Sequence, residues 1–163
     1  MSDIGGELRS DIEKRLAASG VPSLTVAFGQ RGAIHWQAAF GHADRKRQRE
    51  ATPDTSYPLA SITKPITATA LMILQDQGKL KDDDNVSKYL PAFKDQKLDT
   101  GASPSREITI RDCITHTSGL AGDQIFKGSL EEGVDELAAR PLAFEPGTKW
   151  KYSPGLNVAG RIV

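Results

Sequence analysis

Ser61 and Lys64 are two side chains that could share a proton, in a segment that carries no other charge. Between Thr55 and Gln75, Lys64 is the only Asp, Glu, Lys or Arg, although 26% of the chain is charged. On a helix, residues spaced i and i+3 lie on one face with Cβ atoms roughly 5–6 Å apart. An apolar environment favours the neutral form of an amine, which can then accept the proton of a serine hydroxyl. The pair therefore predicts a serine nucleophile and its base.

Pro65 indicates where the helix that carries this pair begins. Proline lacks an amide hydrogen and is tolerated in the first turn, where those hydrogens have no acceptor within the helix. Ser61 is then at the helix N-terminus, where its N–H and the helix dipole would stabilise an oxyanion on an attacked carbonyl. The spacing alone is weak evidence, because a chain with 12 serines and 11 lysines contains about one Ser-x-x-Lys by chance. A capping role for Ser61 and a Lys64 side chain that extends to solvent stay open from these residues alone.

The surrounding pattern predicts a domain of mixed helices and strands. An amphipathic helix covers residues 3–18, and two β-prone runs at 23–29 and 33–41 form a hairpin through Gly32. The helix that follows Pro58 has little polar face, so we expect it to be buried on most sides. Residues 107–120 form a strand or a short helix that runs into a turn. Two more helices are predicted towards the C-terminus, at 129–142 and 156–162.

Composition and charge argue against several classes of partner. The 163-residue chain is formally neutral, with 21 basic and 21 acidic residues, so it lacks a long-range attraction to nucleic acid or to anionic membranes. The basic stretch at 42–50 is short and contains Asp44 and Glu50, which favours a solvated loop. No apolar leader or membrane-length run is present. We therefore expect a cytoplasmic chain whose partner is a small neutral or mixed molecule.

The sequence argues against an internal disulfide and against a metal site. Its one cysteine, Cys113, excludes an internal disulfide, and Cys113 with His116 would supply only two zinc ligands. The aspartates at 82–84 lack the glycine and the terminal glutamate of an EF-hand loop, so capping and solvation are predicted for them. His116 is predicted to be a hydrogen-bonded scaffold residue. The sequence calls for no metal and no cofactor.

Three stretches, in order along the chain, carry a family resemblance. They are YPLASITKPITATALMILQDQGKLKDDDNVSKYLP at 57–91, ITIRDCITHTSGL at 108–120 and FEPGTKWKYSPGLNVAGRIV at 144–163. With these motifs the chain resembles the serine β-lactamase and penicillin-binding-protein superfamily, and within it the class-C-like serine hydrolases, which include esterases, D-aminopeptidases and transesterases. The resemblance implies an α/β (α+β) fold of the β-lactamase/transpeptidase type, with an antiparallel sheet flanked by helices and an all-helical region.

The resemblance also implies roles for individual residues. Ser61 and Lys64 match the nucleophile and base of Ser-x-x-Lys, and Tyr152 matches the tyrosine of Tyr-x-Asn, which exchanges a proton with the nucleophile and the leaving group. Pro154 stands where lactam-processing relatives have the asparagine that contacts a substrate amide. The expected protein is a carboxylesterase-like serine hydrolase that works through an acyl-enzyme on ester or amide substrates, with weak or no β-lactamase activity. The alternative is a non-catalytic penicillin-binding or sensor protein on the same fold.

The resemblance further implies that the domain is larger than this chain. Members of the superfamily continue for about as many residues again, with strands that pair with the N-terminal hairpin and a closing helix. Residues 1–163 are therefore expected to be the N-terminal portion of one domain, with the C-terminal strands and helix absent from the chain. We expect that half to come from a further segment or from a second chain, because the hairpin at 23–41 would otherwise leave a sheet edge unpaired. Serine hydrolase activity is expected provided that this half is supplied.

Overall fold

The computed structural model describes residues 4–122 and 127–163, which form two compact units, Met1–Pro58 and Leu59–Val163. Counted over the described residues, the first unit contains one helix and three strands, and the second contains four helices joined by loops and short 3-10 turns. In chain order the elements are α1 (Ile4–Ser19), β1 (Ser23–Gln30), β2 (Ala33–Asp44), β3 (Arg49–Glu50), α2 (Thr63–Asp76), α3 (Ile110–Ile114), α4 (Leu130–Ala138) and α5 (Gly155–Ile162).

The predicted hairpin is confirmed in the first unit. β1 and β2 pair antiparallel from Ser23 opposite Gly41 to Gln30 opposite Ala33. The two residues of the turn, Arg31 and Gly32, have φ values of 53° and 80°. Two consecutive positive φ values are typical of the tight turns whose twist matches that of the strands they join.

The basic stretch at 42–50 is more ordered than the predicted loop. β2 continues to Asp44, and β3 returns beside it, with His42 opposite Glu50 in an antiparallel pair. Asp44 holds the turn between them, because its carboxylate accepts hydrogen bonds from the amides of Lys46 and Arg47. The predicted solvated loop is confirmed for residues 45–48, which form an exposed turn, but residues 42–44 and 49–50 belong to the strands of a second, shorter hairpin that the Asp44 turn closes.

The second unit is organised around α5, which packs against α2, α3 and α4. Its core includes fully buried aliphatic side chains from each of these helices and from the loops between them: Leu71, Val86, Ile110, Leu137, Leu142 and Val158. Residues 110–114 form the short helix α3 rather than a strand, because Thr109 and Asp112 make a capping box at its N-terminus.

The prediction that α2 is buried on most sides is wrong for the described residues. Leu71 is its only buried residue, and Ala68 and Met72 pack partly against the core from the same face. The apolar stripe on another face stays in solvent, with Ile66 at 56% and Ile73 at 51% of full exposure. The reason is geometric: within the second unit, neighbouring elements cover one side of this nearly all-apolar helix and leave the other uncovered.

The acidic loop at 82–84 confirms the predicted capping, because the Asp84 carboxylate accepts the Lys81 amide, but it also has cationic partners that the sequence did not predict. Arg111 forms ion pairs with Asp82 and Asp83, and Asp84 accepts hydrogen bonds from the Lys88 ammonium and the Tyr89 hydroxyl. These bonds, the one from Tyr89 foremost, lower the pKa of Asp84 to about 2. The loop thus anchors the start of α3, where the amides of Ile110 and Arg111 bond to its carbonyls.

Two glycines of α5 allow a matched test of how tightly this helix packs. A Cβ on Gly155 would collide with the carbonyl oxygen of Cys113 and lie 2.9 Å from its Cα, whereas a Cβ on Gly160 would meet only the Thr67 methyl group at 3.6 Å. We expect Gly155→Ala to lower the free energy of unfolding by about 1–3 kcal/mol. Gly160→Ala is expected to raise it by roughly 0.5–1 kcal/mol, because alanine loses less entropy in a helix.

Denaturant unfolding of the two variants and the wild type measures both effects. Equal stability of the two alanine variants would contradict the close contact between Gly155 of α5 and Cys113 of α3. This contact sets the position of the residues just before α5.

Candidate active site

Ser61 lies in a single 3-10 turn, Ala60–Ile62, that leads directly into α2 at Thr63. The predicted helix start beside Ser61 is therefore confirmed. Ala60, immediately before the serine, has a φ of +47°, an uncommon conformation for a residue with a Cβ. The turn leaves the serine exposed at the surface of the second unit, where a substrate can reach its hydroxyl.

Lys64 is close to Ser61, as the i, i+3 spacing predicts. Its Nζ donates a hydrogen bond of 3.3 Å to Ser61 Oγ, and the same atom lies 4.8 Å from the centroid of the Tyr152 ring. The expected apolar enclosure of the amine is not found in the described residues. Lys64 is half-buried, and its neighbours are a hydroxyl and an aromatic face, because Ile62 and Ile66 extend into solvent.

Tyr152 completes the cluster from a segment 91 residues further along the chain. Its hydroxyl lies 2.7 Å from Ser61 Oγ, and 44% of the residue is exposed. Hydrogen bonding to Lys64 and then to Ser61, together with the positive charge of Lys64, lowers the pKa of the Tyr152 phenol. A phenol in this environment gives up its proton more readily than a free tyrosine, so it can serve as a base.

The segment before Tyr152 is held against the turn that follows α3. The Gly147 amide donates to the Thr117 carbonyl at 2.8 Å, and the Lys151 amide donates to the His116 carbonyl at 2.9 Å. Tyr152 therefore projects from a stretch of backbone that is fixed to the turn at residues 115–119, with the sequence THTSG. Ser153, the next residue, is 2% exposed.

Pro154 is fully buried and forms the N-cap of α5. A proline ring supplies neither the donor nor the acceptor of a side-chain amide. At this position the ring also packs into the second unit instead of lining the exposed cluster. The polar contact that an asparagine would give to a substrate amide is thus absent from residue 154.

His116 is the residue whose partner the sequence did not identify. Its Nδ1 accepts a hydrogen bond of 3.1 Å from the Ser153 amide, which confirms the predicted hydrogen-bonded role but places the contact directly beside Tyr152. Burial, and then the charge of Lys64, lower the pKa of His116.

Cys113 is fully buried, and burial raises the pKa of its thiol, so its sulfur does not face the cluster as a nucleophile or ligand.

The sequence pattern of the β-lactamase family matches residues 8–163. The chain belongs to the β-lactamase family. Esterase EstB of Burkholderia gladioli is 37% identical over an alignment of 180 positions, which covers 99% of this chain and 45% of EstB. The predicted superfamily and its class-C-like, esterase-related branch are thereby confirmed.

Solved structures place the fold in the same family. EstCE1, described as a hydrolase with promiscuous acyltransferase activity, superimposes with a TM-score of 0.85 at 27% identity, over 96% of this chain and 45% of EstCE1. An octameric penicillin-binding protein homologue from Pyrococcus abyssi gives a TM-score of 0.78 at 27% identity, over 98% and 38% of the two chains. The chain thus has the β-lactamase/transpeptidase fold and spans less than half the length of these relatives.

No helix within residues 4–122 and 127–163 is both long and apolar enough to cross a lipid bilayer.

Proposed function

We propose that this chain carries the catalytic centre of a serine hydrolase that forms an acyl-enzyme, with Ser61 as nucleophile, Tyr152 as the acceptor of its proton and Lys64 as the cation that stabilises the Tyr152 phenolate. The observation that carries the proposal is the position of one hydroxyl. Ser61 Oγ lies within hydrogen-bonding distance of both the Lys64 ammonium, at 3.3 Å, and the Tyr152 hydroxyl, at 2.7 Å. A serine is a weak nucleophile until a neighbouring base takes its proton.

The arrangement supports acylation of the serine by an ester. Ser61 Oγ attacks the carbonyl carbon while its proton passes to the phenolate of Tyr152, which the Lys64 cation stabilises. The negative charge that develops on the carbonyl oxygen would be stabilised by the Ser61 N–H at the N-terminal end of α2 and by a second donor. The C–O bond to the leaving group then breaks, and Tyr152 returns the proton to the departing alcohol.

Deacylation would use the same groups in reverse. Water attacks the acyl carbon, and Tyr152 accepts one proton of that water. The bond between the acyl group and Ser61 Oγ breaks, and the serine recovers its proton. The net reaction is one ester and one water converted to one acid and one alcohol. If a second alcohol takes the place of water, the same cycle transfers the acyl group instead.

Esters are the substrate class that we propose, and a small molecule is the partner. EstB is named as an esterase and EstCE1 as a hydrolase with acyltransferase activity. The buried proline at position 154 removes one polar contact that an amide substrate would use. An ester carbonyl is also more reactive than an amide, so it needs less activation from the site. Weak or no β-lactamase activity is part of the proposal.

Covalent labelling tests the nucleophile directly. The purified protein is treated with a fluorophosphonate, its intact mass is measured, and the modified peptide is sequenced. We expect one adduct per protein molecule, located on Ser61. We also expect the protein to turn over short-chain p-nitrophenyl esters faster than a chromogenic cephalosporin. Absence of labelling at Ser61, or labelling elsewhere, would sink the proposal.

The second candidate function is a penicillin-binding sensor, which the similarity to a penicillin-binding protein homologue supports. A sensor and an enzyme differ in the fate of the acyl group. A sensor treated with a penicillin stays acylated, so its intact mass remains raised after free penicillin is removed. An esterase returns to its unmodified mass and releases product continuously. The same mass measurement therefore separates the two.

We also propose that residues 1–163 are the N-terminal portion of one domain, whose remaining half comes from a further segment or a second chain. Two surfaces support this. In the first unit, β1 pairs only with β2 among the described residues, and Phe28 on it is 58% exposed. In the second, the Ile66 and Ile73 stripe of α2 is uncovered. The intact mass of the purified protein, and of any polypeptide that accompanies it, tests this proposal.

A further inference from the structure

His116 accepts the two backbone amides that flank Tyr152. The Lys151 amide donates to the His116 carbonyl oxygen at 2.9 Å, and the Ser153 amide donates to His116 Nδ1 at 3.1 Å. One residue therefore fixes the backbone on both sides of the tyrosine. The first bond needs only a main chain at position 116, whereas the second needs a side-chain acceptor.

The imidazole of His116 also contacts the ring that it would orient. The His116 and Tyr152 rings lie with centroids 4.6 Å apart and planes tilted by 38°, and the Trp150 ring approaches the imidazole edge-on at 5.9 Å. Lys64 Nζ lies 4.8 Å from the same tyrosine ring. Contacts with both the imidazole and the ammonium limit the positions that the phenol can occupy, so its oxygen stays near Ser61.

The turn that carries the His116 side chain is itself held in place by neighbouring residues. Its backbone has a φ of +62°, a left-handed conformation that fixes the direction of the side chain. The next residue, Thr117, donates its amide to the Asp112 carbonyl at 2.9 Å and its hydroxyl to the Asp112 carboxylate at 3.1 Å. Asp112 is buried and paired with Arg106. The turn therefore joins the core of the second unit to the catalytic tyrosine.

The bond from Ser153 sets the protonation state of His116. An amide N–H can donate only to a ring nitrogen with a free lone pair, so Nδ1 carries no proton and the neutral ring holds its hydrogen on Nε2. Among the described residues, the titratable groups recorded against the ring are Lys64, through its charge, and Tyr152, through its ring contact. Burial and the Lys64 charge both act to lower the pKa of His116, which keeps the acceptor available near neutral pH.

We propose that His116 is a positioning residue that holds the Tyr152 phenol against Ser61 and Lys64, by accepting the Ser153 amide and packing on the tyrosine ring. The role rests on the proposed function as far as catalysis is concerned. Its geometric part stands independently, because the phenol is held next to Lys64 whether or not Ser61 reacts. A histidine that served folding alone would have no effect on the state of Tyr152.

Two variants suit the left-handed backbone at position 116 and differ in the acceptor. His116→Asn keeps an acceptor, because Asn Oδ1 is attached to Cγ as Nδ1 is, and asparagine tolerates positive φ. His116→Gly tolerates this φ without strain but removes both the acceptor and the ring. Both variants remove the imidazole ring and neither strains the backbone, so their comparison isolates the contribution of the hydrogen-bond acceptor.

The first readout is the pKa of the Tyr152 phenol, which needs no substrate. It is obtained as the difference in ultraviolet titration between each protein and the same protein with Tyr152→Phe. We expect this pKa to rise towards the ordinary value in His116→Gly, because the phenol moves away from Lys64, and to stay near the wild-type value in His116→Asn. An unchanged Tyr152 pKa in His116→Gly would overturn the proposal, and so would a rise in His116→Asn as large as in His116→Gly.

The second readout is ester turnover, which tests the catalytic consequence. Misplacement of a reacting group by about 1 Å costs on the order of 10²-fold in rate, so we expect kcat to fall by about tenfold to a hundredfold in His116→Gly with little change in KM. His116→Asn should recover most of that loss. Lower thermal stability with unchanged kcat and unchanged Tyr152 pKa would mean a purely structural histidine.

A wild-type measurement covers the case in which His116→Gly does not fold. Long-range proton–nitrogen spectra report which imidazole nitrogen carries the hydrogen, and the proposal requires it on Nε2 across neutral pH. A hydrogen on Nδ1 would overturn it. If the wild type does not label at Ser61, the proposed function fails, while the tautomer and the Tyr152 titration still decide the positioning role.

Discussion

Ser61→Ala is expected to reduce ester turnover by roughly 10⁴- to 10⁶-fold, the largest effect of any single substitution in this chain. Ser61 Oγ lies within hydrogen-bonding distance of both the Lys64 Nζ atom, at 3.3 Å, and the Tyr152 hydroxyl, at 2.7 Å. Without it no acyl-enzyme can form. Any residual rate would come from substrate binding and from water attacking the carbonyl directly.

Steady-state turnover of p-nitrophenyl acetate measures this loss, with Ser103→Ala as the matched control. Ser103 is an exposed serine of the same unit whose hydroxyl accepts a hydrogen bond from Lys97, far along the chain from the cluster. We expect the control to keep wild-type turnover and fluorophosphonate labelling. A Ser61→Ala protein that hydrolyses the ester at the wild-type rate would show that the reaction occurs elsewhere, and the catalytic role of the cluster would have to be abandoned.

The Ser61 and Lys64 pair was predictable from the sequence because it depends on local geometry. The two residues are three positions apart at the start of a helix, and Pro65 shows where that helix starts. Tyr152 is different: its hydroxyl reaches Ser61 from 91 residues away, and no periodicity or spacing relates positions so far apart. Only the family resemblance predicted that it joins the pair. Its role in catalysis, like theirs, stays a prediction until the variants are measured.

The burial of α2 shows where hydrophobic periodicity stops being informative. The helix is apolar on nearly every face, so the pattern indicates burial without saying which neighbour supplies it. In the second unit, the face that carries Leu71 meets the core and the face that carries Ile66 and Ile73 does not.

The sequence was equally uninformative about the hydrogen-bond partner of His116. Its turn was recognisable in the sequence, but the amide that it accepts belongs to a segment whose position depends on tertiary packing.

Tyr152→Phe is expected to lower kcat/KM for esters by about 10²- to 10⁴-fold, the range attributed to one general acid–base group. The substitution keeps the aromatic ring beside Lys64 and removes the hydroxyl 2.7 Å from Ser61 Oγ. Tyr89→Phe is the control, because Tyr89 donates its hydroxyl to Asp84 in the same unit and takes no part in the cluster. The control should retain wild-type turnover.

The pH dependence of the same variants identifies the base. Hydrogen bonding to Lys64 and Ser61 lowers the pKa of Tyr152. The proposed base is the deprotonated phenol, so wild-type kcat/KM should rise with pH and level off above that pKa. The rise should lie at lower pH than for an ordinary phenol. In Tyr152→Phe it should vanish. If the variant keeps both the wild-type rate and the rise, Lys64 alone takes the serine proton, and the tyrosine must be reassigned to binding the substrate.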